Sequence, residues 1–324
     1  MSIFFLSGFV LAYRYSDGNS SLKDYFVNRF ARVYPIYLVA AVLTLPWLGI
    51  EITGDSMADN VKYVAQVSLI ILANIVIIQA WFLQFFSLWN NGGSWSISVE
   101  AFCYALLPFL LPHLLRLSIK SLWMVALICW MLAVLPGLSA LLFDSPSNNV
   151  YYSMPIFRLP EFLIGVCVHL AGRHGFKYKM GSAVQTTVIV VFMLYLGIAG
   201  AKLPLYVGHN WIALPVIAFI IYSLSNGKGP VSALLSSGVF VWLGKISYSF
   251  YSFQVLIILL LTSYHEDLVL LFPILRNSFA LASASFVVLV IVAALGYYFI
   301  EEPARRFFRW RWSNRISGQT DQPK

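Results

Sequence analysis

The run Asn90-Asn91-Gly92-Gly93-Ser94-Trp95-Ser96-Ile97-Ser98-Val99-Glu100-Ala101-Phe102-Cys103-Tyr104 begins as a polar, glycine-containing loop. It turns into an apolar segment that continues through Leu106, Leu107, Phe109, Leu110 and Leu111. Glu100 therefore falls inside a stretch that reads as a membrane helix. A charged side chain at the centre of hydrocarbon costs about 2.5–3.5 kcal/mol on insertion scales, so such a group faces a bundle interior or a wet cavity and has a partner. Helical spacing puts Ser96, Glu100 and Tyr104 on one face and sets Glu100 beside Cys103. A polar stripe on an apolar helix, next to a Gly-Gly loop, reads as the wall of a site. The competing reading is a structural ion pair between helices.

Composition supports the membrane. Of 324 residues, 60% are hydrophobic and only 10% charged, against about 25% charged in soluble domains. Mean hydropathy is +0.80. The expected class is all-α: a polytopic transmembrane helical bundle. The formal charge of +8 does not point to nucleic acid, because basic residues of membrane proteins collect in cytoplasmic loops. Cys103, Cys129 and Cys167 all lie in apolar runs and read as small buried hydrophobes, not as a disulfide framework or a metal site. None of the five histidines has metal-site or triad spacing.

Taken in order, Met1–Ala12 is apolar but short for a span, which needs ~20 residues. It lacks the basic start and small-residue cleavage site of a signal peptide. Residues 14–32 read as a polar loop with Lys23, Arg29 and Arg32. The expected spans are then 33–50, 64–82, 97–115, 121–143, 156–171, 182–200, 211–225, 239–262 and 279–300, followed by a basic tail. The basic loops at Arg116–Lys120 and Arg173–Lys179 and the tail alternate correctly if all are cytoplasmic, with Asp144–Asn149 and Glu266–Asp267 outside. Placing Lys23–Arg32 inside as well requires one early segment not to cross. Val64–Phe82, interrupted by Gln66, Asn74 and Gln79, is the better candidate. The expectation is about nine full spans plus one re-entrant or partial segment. Residues 1–303 form the membrane domain and 304–324 a basic cytoplasmic tail.

Three further constellations carry polar chemistry. Arg29 and Arg32 are i,i+3 and share a helix face; two guanidiniums at a membrane edge suit phosphate or pyrophosphate. Spacing alone favours ordinary positive-inside anchoring for them. Arg158 and Glu161, also i,i+3, open a span; they pair with each other, or Arg158 faces Glu100. Composition favours the structural pair. In Leu243–Gln254, hydroxyls and the Gln254 amide sit inside an apolar run and need partners, for which interhelical hydrogen bonds suffice.

Together these pieces resemble the acyltransferase 3 family of integral membrane acyltransferases, which includes the O-antigen and exopolysaccharide O-acetylases of bacteria. The matching stretches are Phe4–Phe9, Arg29–Tyr37, Ser94–Tyr104, Phe157–Gly165, Leu243–Tyr251 and Glu301–Arg305, in the family's order. The resemblance implies a ten-helix fold in a bacterial inner or plasma membrane. It implies transfer of an acyl group, acetyl being commonest, from cytoplasmic acyl-CoA to a hydroxyl of a membrane-handled carbohydrate. Acyl-CoA would be a co-substrate, and no cofactor would be bound permanently. The resemblance assigns Glu100, with Ser96 and Trp95, to catalysis. It assigns Arg29 and Arg32 to coenzyme A, and Arg158, Tyr104 and Gln254 are expected to bind substrate. Gln254 stands where many members have histidine. The family's first helix carries Arg-Gly and then a histidine thought to be the catalytic base, and this chain begins just after that point. The resemblance thus also implies an N-terminally incomplete homologue, and a catalytically inactive truncated homologue is an alternative reading beside the enzyme. A different class, a transporter or flippase for a lipid-linked sugar, fits the helices and the intramembrane polar site too, but no matching inverted pair of interrupted segments is present.

Overall fold

The computed structural model describes residues 2–18, 21–48, 56–82, 91–135, 153–175, 181–198, 211–225 and 229–317, and these are helical with no strand among them. The α-helices are α1 (Ser2–Tyr15), α2 (Leu22–Leu43), α3 (Met57–Ile75), α4 (Asn91–Leu114) and α5 (Ile119–Leu132). They continue as α6 (Pro155–Arg173), α7 (Ser182–Ile198), α8 (Leu214–Ser225), α9 (Pro230–Leu235) and α10 (Gly238–Ser263). The last are α11 (His265–Leu271), α12 (Ser278–Gly296) and α13 (Glu302–Ser317), the final two joined by a π-turn, Tyr297–Glu301. Among the described residues, five helices are long and apolar enough to cross a membrane: α2, α4 over Ser94–Leu114, α6, α10 and the continuous Ser278–Trp312. Four apolar helices are shorter, at Ile3–Tyr15, Ile119–Leu132, Ser182–Ile198 and Trp211–Ser225. At 1.5 Å per residue a 14-residue helix such as α5 covers about 21 Å of a hydrocarbon layer of about 30 Å.

Several boundaries differ from the sequence expectation. The segment expected as a Gly-Gly loop is helical, because α4 starts at Asn91. Glycine is tolerated in a first turn that has few intrahelical bonds to lose. Residues 22–32 are not a loop but the first half of α2. Ser21 caps that helix, its hydroxyl accepting from the Asp24 N–H at 3.1 Å, and Pro35 is carried inside it. The segment 64–82 is not one helix. α3 ends at Ile75, the chain turns at Ile77 with φ of 59°, and a 3-10 turn follows at Gln79–Trp81. The basic tail is helical through Ser317. The expected outside loop at 144–149, the far end of the 121–143 span, and Lys177 and Lys179 lie outside the described residues.

The chain forms two compact units, one of Met1–Ser20 with Ser98–Val241, the other of Ser21–Ile97 with Trp242–Lys324. In the first, α1 and α5 pack on α6. The α1–α6 contact is backbone-close: a Cβ on Gly8 would lie 2.1 Å from the Phe162 carbonyl oxygen, and one on Gly165 would lie 2.1 Å from that of Phe5. Phe5, Phe9, Cys129, Ala133, Ile164, Val168 and Leu214 form the core around it. In the second unit, Ile36, Ala40, Phe253, Leu256, Ile257 and Leu289 join α2, α10 and α12.

Lipid offers no hydrophobic drive between helices, so close backbone contact carries much of their association. Gly165→Ala is therefore expected to destabilise the chain by at least about 1–3 kcal/mol, the usual range for overpacking. Gly197→Ala, with open space around it, should be neutral. Thermal melting in detergent checks this; equal melting temperatures for the two variants would contradict the close-contact argument.

Candidate active site

The polar face of α4 divides into two hydrogen-bonded sets. Nearest the helix start, buried Ser94 accepts from the Gln79 amide through both its carbonyl and its hydroxyl, at 3.2 Å each. One step on, half-buried Trp95 is followed by buried Ser96, whose hydroxyl bonds the Tyr251 hydroxyl of α10. Gln254 lies one turn after Tyr251 on α10 and is half-buried. All of these belong to the second unit.

In the first unit, Glu100 is 8% exposed and accepts from the Tyr104 hydroxyl at 2.9 Å. Tyr104 is the i+4 residue on the same face, as its spacing predicts. The Tyr104 oxygen also lies 3.0 Å from the Ser7 hydroxyl of α1. Since the phenolic proton goes to Glu100, Ser7 donates to Tyr104. The result is an oriented chain, Ser7 to Tyr104 to Glu100, that ends on a carboxylate. Arg158 and Glu161 of α6 are ion-paired with each other, each side chain 1% exposed. Cys103, fully buried, lies within Coulombic reach of both Glu100 and Glu161. The chemistry available here is that of a carboxylate held by hydroxyls: it can accept hydrogen bonds from a bound hydroxyl or orient a base.

The arginine pair is built on α2 in the second unit. Arg29 is half-buried and Arg32 exposed, one turn apart. Tyrosines next to them dock the helix: Tyr34 donates to the Ile75 carbonyl at 3.1 Å, and Tyr37 to the Asn74 carbonyl at 2.9 Å. From α10, Tyr248 donates to the Val33 carbonyl at 3.1 Å, and Ser249 donates to Glu301 at 2.7 Å.

Residues 3–300 match the Acyltransferase domain of the acyltransferase 3 family. The chain belongs to that family. It is 26% identical over 277 residues to the acyltransferase MdmB of Streptomyces mycarofaciens, covering 80% of this chain and 67% of that protein. It is 25% identical over 330 residues to a Staphylococcus aureus (strain COL) protein named "Putative O-acetyltransferase", covering 94% of this chain and 52% of the relative. The chain thus spans about half the length of the Staphylococcus aureus relatives it matches. No solved structure matches. All eight site residues expected from the family resemblance lie within the matched span. Ser7, Tyr251 and Glu301 were not among them. Their signals were the Ser-Gly of Phe4–Phe9, the hydroxyl-rich run of α10 and the Glu-Glu-Pro motif. No group of three or more metal-ligating side chains occurs among the described residues.

The Arg158–Glu161 pair yields a test of structure against substrate contact. Arg158→Met alone is expected to cost about 3–5 kcal/mol of stability, because Glu161 is left charged and buried. Arg158→Met combined with Glu161→Leu should restore folding. If the folded double variant turns over like the parent in the acyl-transfer assay, the pair is purely structural; if it folds but no longer transfers, Arg158 contacts the acceptor.

Proposed function

We propose that this chain is an acyl-CoA-dependent O-acyltransferase that acylates a hydroxyl of a membrane-handled carbohydrate, such as O-antigen or exopolysaccharide, with acetyl as the group transferred. The observation that carries this reading is the buried Glu100 carboxylate at the end of the Ser7–Tyr104 hydroxyl chain, in a member of an acyltransferase family. The relatives' names point to acyl and acetyl transfer. In the reaction, the acceptor oxygen attacks the thioester carbonyl, the carbon–sulfur bond breaks and an ester forms. The acceptor's proton leaves with the coenzyme thiol. Glu100 accepts a hydrogen bond that orients the acceptor hydroxyl or the base that takes its proton, and Ser96 and Trp95 are catalytic residues earlier on the same helix. Arg29 and Arg32 bind the coenzyme's phosphates, for which paired guanidiniums are suited by their planar, bidentate geometry. Arg158 and Tyr104 in the first unit are substrate-binding residues, as is Gln254 in the second.

The chain sits in a bacterial inner or plasma membrane, with membrane lipids around it. The Arg173 end of α6 and the α13 tail face the cytoplasm, where acyl-CoA is, and residues 144–149 face outward. Cysteines introduced at Ser147 and Ser313 should label from opposite sides; labelling from one side would reject this topology.

Activity is measured as transfer of label from acetyl-CoA to a lipid-linked oligosaccharide in membranes. Glu100→Gln should keep membrane insertion and lower transfer per folded molecule by about 10²-fold or more, the usual effect of a positioned acid–base group. Arg29→Ala and Arg32→Ala should raise KM for acetyl-CoA, with Lys rescuing only partly. Full activity of folded Glu100→Gln would remove it from the site. Movement of the sugar lipid without acylation would replace the enzyme with a flippase.

A further inference from the structure

The last helix of the second unit presents a face that the reaction above does not use. The 19 residues of α12 and the 5 of the π-turn after it make a rod roughly 35 Å long, against about 30 Å of hydrocarbon. α13 therefore begins at the level of the lipid headgroups. Its sequence, Glu302 to Ser317, holds five arginines (Arg305, Arg306, Arg309, Arg311 and Arg315) against one acidic residue, Glu302.

One side of α13 packs on α2. Trp312 donates to Asp24 Oδ1 at 2.7 Å, and the Phe308 ring meets Phe30 edge-on with centroids 5.5 Å apart. Phe308 and Trp312 are i,i+4, so both contacts lie on one face. The side turned away from α2 carries Phe307 and Trp310, an i,i+3 pair that is 50% and 63% exposed. Arg306, Arg309 and Arg311, all exposed, border these two rings. The Arg311 guanidinium lies 6.0 Å from the centre of the Phe307 ring. Arg306 reaches Glu302 at 3.0 Å with 79% of its side chain still open.

Aromatic rings turned away from the protein leave apolar surface in water, but at a membrane interface they are favoured. Guanidiniums beside them match phosphate, and a cluster of about four to eight basic residues directly after a span suits an anionic leaflet. Orienting a span by the positive-inside rule needs only charge near its end. It does not account for an aromatic pair set between arginines on the side away from α2.

We propose that this outward face of α13 is a docking surface for anionic phospholipid. Headgroup phosphates bind Arg306, Arg309 and Arg311, and Phe307 and Trp310 seat between the lipids. The proposal rests on the membrane reading of α12 and not on the acyl-transfer reading, so either can fail without the other.

The full chain, purified in detergent, is mixed with equimolar phosphatidylglycerol and phosphatidylcholine, and bound lipid is counted by native mass spectrometry. One arginine beside an anionic surface is worth about fivefold in binding, so phosphatidylglycerol should be retained over phosphatidylcholine by at least that factor. Arg306→Gln, Arg309→Gln and Arg311→Gln combined should bring the two lipids near parity. The melting temperature should stay unchanged, since the Phe308 and Trp312 contacts with α2 remain. Equal retention of the two lipids by the parent overturns the proposal. So does a preference that survives in the folded triple variant, which would put the lipid site elsewhere. Arg311→Gln alone is the second variant should the triple fold poorly: it should lower the preference a few-fold, and an unchanged ratio overturns the proposal. A parent without lipid preference that instead retains a soluble poly-glutamate peptide would assign the face to an acidic protein and overturn it too.

Discussion

A charged or polar side chain taken into hydrocarbon has to find its partner in protein, and both units are arranged around that requirement. The partners come in two kinds. Arg158 pairs with Glu161 three residues on, and Glu100 accepts from Tyr104 four residues on, so each helix meets much of its own need before it packs. Ser7 to Tyr104 in the first unit, and Ser249 to Glu301 in the second, are bonds between distant parts of the chain. Local pairs lower the cost of inserting a helix. Distant pairs form only in the correct packing, and so select it. Each interhelical bond is worth a fraction of a kcal/mol to about 2 kcal/mol, enough to choose among packings but not to drive them.

The driving term is close contact, and that depends on residues with no side chain. Gly8 and Gly165 bring α1 and α6 to backbone distance, and Ser7, next to Gly8, bonds Tyr104 of α4. Gly296 of α12 gives room to the Phe253 ring of α10 and the Ile36 side chain of α2, and Ser249 reaches Glu301 five residues beyond it. In both units a glycine contact lies close in sequence to a polar bond between distant parts of the chain.

This division explains what was legible in the sequence. Apolar runs located α6, α7, α10 and α12 to within a few residues, because hydropathy marks whatever lies in hydrocarbon. It missed the start of α2, the first turn of α4 and all of α13, which are helical but polar. For α2 the available signal was the Ser21-x-x-Asp24 cap, not hydropathy. Among site residues, the Glu100–Tyr104 and Arg158–Glu161 relations were legible, because i,i+4 and i,i+3 spacing fixes neighbours within one helix. The partners Ser7 and Tyr251 were not, since helix spacing says nothing of which neighbouring helix a face will meet.

The two polar systems also differ in exposure, and the proposed reaction gives a reason. A group that handles an acceptor hydroxyl gains from a low dielectric, where hydrogen bonds to a carboxylate are stronger; Glu100 is buried accordingly. A group that captures a polyanionic donor from water must stay where the donor arrives. Burying it would cost desolvation that the phosphates would have to offset. In the proposed reaction the exposed Arg32 holds that place. In the proposed reaction, burial thus falls on the group that handles the acceptor hydroxyl, and exposure on the groups that meet the donor.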